Sequence, residues 1–118
     1  HCNQQLFFMM DMTNTFDEII SQERLTLVDF YASWCGPCKM MHPVVDRVEK
    51  MVEGRVNILR LDIDDPANGA LVRRYNIMSV PTFILFKEGV ILRRETGAMP
   101  YERLADMIGQ YEKDRVVR

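Results

Sequence analysis

Two cysteines separated by two residues are the groups in this chain best suited to chemistry. They lie in the run Trp34-Cys35-Gly36-Pro37-Cys38. Two thiols at this spacing can close a small disulfide with little backbone movement, so they can pass two electrons to or from the disulfide of another protein. The alternative is half of a zinc site, but the sequence offers only His42 as a nearby third ligand, and zinc requires four ligands. The spacing therefore favours redox chemistry, and we expect no metal.

The segments on either side of the cysteine pair predict a strand followed by a helix. Leu25–Tyr31 is apolar, β-branched and aromatic, which indicates a buried strand. A three-residue connection leads to Cys35, and the segment after Cys38 has helical spacing, interrupted by Pro43. A Cys-x-x-Cys between a strand and a helix is the usual context of a redox pair.

The predicted helix gives the two thiols different surroundings. Cys35 would lie at the helix N-terminus, where unpaired N–H groups and the helix dipole favour a thiolate and lower the thiol pKa. This setting predicts that Cys35 is the nucleophile. Cys38 would lie one turn into the helix and should be more buried, which suits a thiol that waits and then resolves a mixed disulfide.

Asp29 is unusual because it interrupts the apolar strand that precedes the cysteine pair. A buried carboxylate is costly unless it is paired or protonated, so burial should raise the pKa of Asp29. A carboxyl group with a raised pKa can accept a proton near neutral pH. The alternative is an acid at the edge of the strand that points to solvent.

The rest of the chain predicts alternating strands and helices. A capping box at Thr15 predicts the start of a first helix. Pro100 is well placed in the first turn of a last helix. The further predicted elements are strands at 56–61, 82–86 and 90–95 and helices at 15–21, 68–75 and 100–111. This order predicts an α/β fold, with a mixed sheet covered by helices on both faces.

Four short motifs together resemble the thioredoxin family. They are Val28-Asp29-Phe30, the WCGPC run, Val80-Pro81-Thr82 and Thr96-Gly97-Ala98. The resemblance extends roughly from Thr15 to Tyr111. It implies a thioredoxin-like fold, with a central mixed β-sheet flanked by helices.

The resemblance also implies how the chain is divided. Residues 13–111 would form a thioredoxin domain. Residues 1–12 would be an N-terminal extension or a first strand, and residues 112–118 a charged C-terminal tail. An ordinary balance of 47% hydrophobic and 27% charged residues agrees with one globular domain.

Further site residues are assigned by the resemblance. Asp29 would lie beneath the cysteine pair and help to deprotonate Cys38 through water. A lysine that often accompanies this acid is replaced by Arg60, which stays protonated and cannot relay a proton. Gly36 and Pro37 between the cysteines are associated in this family with reductants.

The resemblance assigns substrate binding to a surface around the thiols. Pro81 would be in the cis form, facing the cysteines, so that the Val80 backbone can pair with an extended substrate segment. The alternative for Pro81 is an ordinary turn proline. Trp34 would form the rim of this surface, although a core aromatic is the other interpretation. Gly97 would keep the surface flat, where the alternative is a simple loop glycine.

The predicted function is that of a thioredoxin-like protein disulfide reductase, a protein-disulfide oxidoreductase with no bound cofactor. Its expected partners are disulfide-containing proteins and thioredoxin reductase, or a membrane thiol donor outside the cytoplasm. The chain would act as a monomer. Two alternatives remain at this point: a periplasmic or membrane-anchored thiol oxidase or isomerase, and a redox-independent protein-binding module.

Composition limits the remaining partners and locations. The net charge is −2, and no basic stripe predicts nucleic-acid binding. No apolar stretch has the roughly 20 residues of a membrane span. Leu6–Met10 lacks the flanking features of an intact signal peptide. We expect a cytoplasmic location, with a periplasmic alternative in which Cys2 carries a lipid anchor.

Overall fold

A computed structural model describes the backbone of residues 13–117 and the side chains of residues 13–112. Within this range the helices are α1 (Thr13–Ile20), α2 (Gly36–Met51), α3 (Gly69–Arg74) and α4 (Tyr101–Val117). The strands are β1 (Thr26–Tyr31), β2 (Asn57–Asp62), β3 (Thr82–Lys87) and β4 (Val90–Thr96). A short 3-10 helix at Pro66–Asn68 leads into α3. The prediction that residues 1–12 form an extension or a first strand lies outside the described residues.

The four described strands form one mixed sheet in the order β2-β1-β3-β4. β1 pairs with β2 in parallel, while the β1–β3 and β3–β4 pairs are antiparallel. β1 and β3 are central and almost fully buried, which explains their continuous apolar runs. The predicted mixed sheet flanked by helices is confirmed.

The two faces of the sheet have separate cores, because successive strand residues point to opposite sides. Leu27 of β1 packs with buried residues of α2 and α4, and we call this side the α2/α4 face. Val28 and Phe30 pack with buried residues of α1 and α3, on the α1/α3 face. Asp29 alternates with these two residues and therefore belongs to the α2/α4 face.

Three local predictions differ from the structure. Thr15 lies inside α1, which already includes Thr13, so its assignment as a helix cap is wrong. α4 continues past Tyr111 to Val117, and Glu112 in the added turn pairs with Arg55 at 3.1 Å. α2 remains one continuous helix through Pro43. Its other backbone hydrogen bonds and its buried stripe hold the helix together across the proline.

Candidate active site around the cysteine pair

Cys35 and Cys38 are joined in a disulfide at the start of α2, with their Cα atoms 5.2 Å apart. Cys35 is the N-cap residue of the helix, and Gly36 and Pro37 form the exposed beginning of the first turn. The backbone N–H of Cys38 donates to Cys35 Sγ over 3.1 Å. An N-terminal N–H directed at this sulfur, together with the helix dipole, stabilises negative charge there.

Both cysteines of the pair are buried. Cys38 is 1% exposed and Cys35 is 4% exposed, so the predicted order of burial is confirmed with only a small difference. Cys35 Sγ lies 3.7 Å from the carbonyl oxygen of Val80, whose side chain packs against the pair. A substrate segment that approaches Cys35 must therefore come close to the backbone of Val80.

The segment from Val80 to Thr82 is held beside the cysteine pair by contacts with β4. The Val80–Pro81 peptide is cis, as the resemblance implies, so the turn-proline alternative is wrong. The N–H of Gly97 donates to the carbonyl oxygen of Pro81 over 2.8 Å. Gly97 adopts a φ of +100°, a conformation that favours glycine. The structure therefore brings Cys35, Val80, Pro81 and Gly97 to one edge of the sheet.

Trp34 lies on the rim of this edge, and the interpretation as a core aromatic is wrong. Its side chain is 66% exposed, and its Nε1 donates to Asp64 Oδ2 over 2.8 Å. Asp64 was not among the predicted site residues. The available signal was its position just after β2, because the carboxyl ends of two parallel strands meet at the same edge of a sheet.

Asp29 is buried within the sheet, and the alternative of a solvent-facing acid is wrong. It is 1% exposed, and its Oδ1 has no hydrogen-bond partner among the described residues. Burial raises the pKa of Asp29 to about 6, while the positive charge of Arg60 opposes this shift. The predicted rise in the pKa of Asp29 is confirmed, and its direction follows from loss of solvation of the charged form.

Arg60 lies beside Asp29 but binds two other carboxylates. It is the register partner of Asp29 across the β1–β2 pair. Its Nη2 donates to Asp46 Oδ1 over 2.7 Å and to Glu49 Oε1 over 2.9 Å. Asp46 and Glu49 were not among the predicted site residues, although their spacing of three residues places them on one side of α2.

The zinc alternative has no matching cluster in the part of the chain that the structure describes. No group of three potential His, Cys, Asp or Glu ligands occurs among those residues. The ring of His42 instead makes an edge-to-face contact with Tyr31, with centroids 5.5 Å apart. Among the same residues, none of the helices combines the length and apolar character that crossing a bilayer requires.

The family model, the similar sequences and the similar solved structure described next all carry the name thioredoxin. The thioredoxin family model matches residues 8–110. The chain is 41% identical to a thioredoxin of Staphylococcus saprophyticus over 98 residues, covering 83% of this chain and 91% of that protein. It is 40% identical to a thioredoxin of Staphylococcus haemolyticus, with the same coverage of 83% and 91%. Among solved structures, a mutant thioredoxin from Halobacterium salinarum superposes with a TM-score of 0.75 and 32% identity, covering 86% of this chain and 87% of that one.

Proposed function

Because this chain belongs to the thioredoxin family, and is therefore a protein-disulfide oxidoreductase that works by dithiol–disulfide exchange, we propose distinct roles for its two active-site cysteines. Cys35 is the attacking thiol and Cys38 the resolving thiol. The net reaction moves two electrons from the dithiol to a disulfide in another protein. The chain supplies this chemistry from its own side chains, without a bound cofactor.

The reaction begins with the reduced pair. The Cys35 thiolate attacks one sulfur of the substrate disulfide, and the substrate S–S bond breaks as the mixed disulfide forms. The released substrate sulfur takes up a proton. Cys38 then loses its proton and attacks Cys35 Sγ, which releases the second substrate sulfur as a thiolate that is also protonated. The products are a substrate dithiol and the Cys35–Cys38 disulfide.

One observation supports this order of attack more than any other. The N–H of Cys38 points at Cys35 Sγ from the first turn of α2, at 3.1 Å. A hydrogen bond and a helix dipole both favour the thiolate of Cys35 in the reduced state. Cys38 lies inside that turn and is almost fully buried, so it reaches Cys35 more easily than it reaches a substrate.

Asp29 is proposed as the group that accepts the proton of Cys38. β1 leads into α2 through a short loop, and Cys38 begins the buried stripe of α2 that continues with Met41 on the face of the sheet to which Asp29 belongs. Its pKa of about 6 means that it is largely ionised near neutral pH yet still basic enough to take a proton. The likeness to thioredoxins supports a water molecule as the carrier between them.

Substrate binding is proposed for the surface that surrounds the pair. The carbonyl of Val80 lies closest to Cys35 Sγ, and an extended substrate segment could pair with this backbone as an added strand. The flat surroundings are formed by the other residues proposed for substrate contact, which are Trp34, Gly36, Pro37, Pro81 and Gly97. The exposure of Trp34 and the open space around Gly36 and Gly97 support this assignment.

The partners follow from the family. Disulfide-containing proteins are the substrates, and we propose thioredoxin reductase as the enzyme that restores the dithiol. We propose a cytoplasmic location, because cytoplasmic thiols are kept reduced by systems of this kind. We also propose that residues 13–111 form the working domain and that it acts as a monomer, with residues 112–118 as a charged extension that is helical as far as Val117.

The reduction potential of the Cys35–Cys38 pair tests the reductase proposal. Equilibration with a glutathione or dithiothreitol series should give a reduction potential of about −270 mV, as for thioredoxin. A value above about −200 mV would contradict the proposal and indicate an oxidase or isomerase.

Single cysteine variants test the order of attack. Cys38→Ser should accumulate a mixed disulfide with a disulfide-bonded substrate, because no resolving thiol remains. Cys35→Ser should accumulate none, and its turnover should fall to the uncatalysed background. Mass spectrometry of the trapped species measures this directly. If Cys35→Ser traps substrate instead, the two roles are reversed.

The role of Asp29 is tested by Asp29→Asn, which keeps the shape of the side chain but removes the base. Turnover at pH 7 should fall about a hundredfold, the lower end of the usual contribution of a general base. The mixed disulfide should form at a nearly normal rate, since Asp29 acts after the first attack. Unchanged turnover would contradict this role while leaving the roles of the cysteines intact.

A further inference from the structure

Arg60 is next to Asp29 in the sheet, but its guanidinium hydrogen-bonds to two acids on α2 instead. In the register of the sheet it is opposite Asp29, on the neighbouring strand. Both of its short hydrogen bonds nevertheless go to α2, to Asp46 and Glu49, at 2.7 and 2.9 Å. Asp29 Oδ1 remains without a hydrogen-bond partner among the described residues.

The two acids on α2 are well placed to hold this cation. They are three residues apart, so they lie on the same side of the helix. Arg60 is 25% exposed, whereas Asp46 and Glu49 are 65% and 54% exposed, so the guanidinium is drawn towards the surface. One guanidinium nitrogen, Nη2, donates to both carboxylates, so two charge-assisted hydrogen bonds hold the cation against α2.

We propose that Asp46 and Glu49 are positioning residues for the proton transfer: they hold the Arg60 guanidinium against α2 and thereby keep Asp29 free of a direct ion pair. This inference rests on the proposed function, in which Asp29 accepts the proton of Cys38. It assigns a role in the reaction to two surface acids that touch neither cysteine. It also explains why an arginine at position 60 does not lower the pKa of Asp29 so far that Asp29 is too weak a base.

A direct pair between Arg60 and Asp29 would have a large effect. A cation within about 4–6 Å typically lowers the pKa of a carboxyl group by about 1–3 units, and so weakens it as a base. The other buried residues that form the core of this face are apolar, and they include Phe83 of β3, Met41 of α2 and Met99 before α4. The titratable side chain of α2 near this end of β1 is His42, whose ring packs on Tyr31. Arg60 is therefore the charge that controls Asp29.

The test is a titration of the Asp29 carboxyl carbon by NMR. It uses the full chain in its oxidised form, where the two cysteines do not titrate. In Asp46→Asn/Glu49→Gln the released Arg60 should turn towards Asp29 and lower its pKa by about one unit or more. In Arg60→Gln the pKa of Asp29 should rise instead. Opposite shifts of this kind are not expected from a general loss of structure.

Two further variants make the result decisive. In the triple variant Asp46→Asn/Glu49→Gln/Arg60→Gln, the pKa of Asp29 should equal that in Arg60→Gln, because the carboxylates act through Arg60. Glu18→Gln/Glu23→Gln removes the same amount of charge from exposed positions away from α2 and should leave the pKa unchanged. An unchanged pKa in Asp46→Asn/Glu49→Gln would overturn the inference. So would an equal fall in the presence and absence of Arg60.

Turnover separates this inference from the proposed function. With the reduced protein, Asp46→Asn/Glu49→Gln should shift the acidic limb of the kcat–pH profile to lower pH, reduce kcat at neutral pH and leave KM unchanged. A shift in the NMR titration without any change in the kcat profile would contradict the positioning role. Full turnover in Asp29→Asn would contradict the proposed role of Asp29 as the base. The NMR titration would still show whether Asp46 and Glu49 hold Arg60 away from Asp29.

Discussion

The two faces of the sheet are built from the same strands but differ in what they bury. On the α1/α3 face, Phe30 packs among aromatic and aliphatic side chains, with Tyr75 and Phe86 in ring contact around Phe16. On the α2/α4 face the neighbouring residue of β1 is Asp29, a buried carboxyl group whose Oδ1 has no hydrogen-bond partner in the part of the chain that the structure describes. Adjacent residues of one strand therefore serve opposite purposes.

This difference shows how the protein divides stability from reactivity. The α1/α3 face contributes packing, because large apolar side chains are removed from water there. The α2/α4 face also has an apolar core, but it keeps a group whose burial is unfavourable when it is charged. Substitutions on the first face should therefore change the free energy of unfolding alone, and substitutions on the second should change stability and chemistry together.

The largest effect on stability is expected from Phe30→Ala on the α1/α3 face. Phe30 is fully buried, and removing such a ring should reduce the free energy of unfolding by about 3–5 kcal/mol. Denaturant unfolding measures the change. The reduction potential of the cysteine pair should remain that of the parent protein, and a clear shift would show that the two faces are not separate.

Asp29→Asn should have the next largest effect, and the size of this effect should depend on pH. Below about pH 4 the carboxyl group is protonated in both states and imposes no charge penalty. Between its ordinary value of 3.8 and about 6, the folded state keeps the proton that the unfolded state has lost, so the free energy of unfolding falls as pH rises. Above this window the full penalty, about 3 kcal/mol for a shift of this size, is present.

The oxidised forms of the parent and Asp29→Asn should therefore be compared by denaturant unfolding from pH 4 to pH 8. The variant should be the more stable form at pH 8, by up to about 3 kcal/mol, and this advantage should disappear towards pH 4. An advantage that is constant with pH would mean that Asp29 titrates in the folded protein as it does in the unfolded chain.

Gly97→Ala should have a smaller effect on stability and a selective effect on substrate binding. Its φ of +100° disfavours residues with a Cβ atom, so a loss of about 1–2 kcal/mol is expected. The added methyl group would project from the proposed contact surface, and KM for a protein substrate should rise. Gly54→Ala is the matched control, because Gly54 has a φ of +82°, open surroundings and a position away from the site. Equal changes of KM in the two variants would contradict the assignment of Gly97 to the contact surface.

The smallest effect is expected for the ion pair between α1 and α3. Arg74 Nη1 lies 2.7 Å from Asp17 Oδ1, and both side chains are substantially exposed. Asp17→Asn should change the free energy of unfolding by less than about 1 kcal/mol and less at high salt. It should leave the kcat–pH profile unchanged, in contrast to substitution of Asp46 and Glu49. An altered kcat–pH profile would mean that a charge on the α1/α3 face also affects the proton transfer.

Local patterns in the sequence were sufficient to predict much of this molecule. The apolar run before Cys35 and the helical spacing after Cys38 correctly predict β1 and α2, because strand and helix periodicity depend on residues close in the chain. The burial of Asp29 follows from its position inside an apolar strand. Element ends were less predictable, since Thr15 and Tyr111 both lie inside helices that continue beyond them.

The chemistry available to the chain was therefore determined by its sequence: two thiols at a helix N-terminus and a carboxyl group in the strand before them. Only the tertiary structure decided which partners these groups have. It places the Val80 carbonyl 3.7 Å from Cys35 Sγ, and it directs Arg60 to α2 rather than to Asp29. The first distance depends on where the segment before β3 meets the start of α2, and the Arg60 contacts depend on how β2 packs against α2. No local pattern specifies them, because the residues involved are 45, 14 and 11 positions apart in the chain.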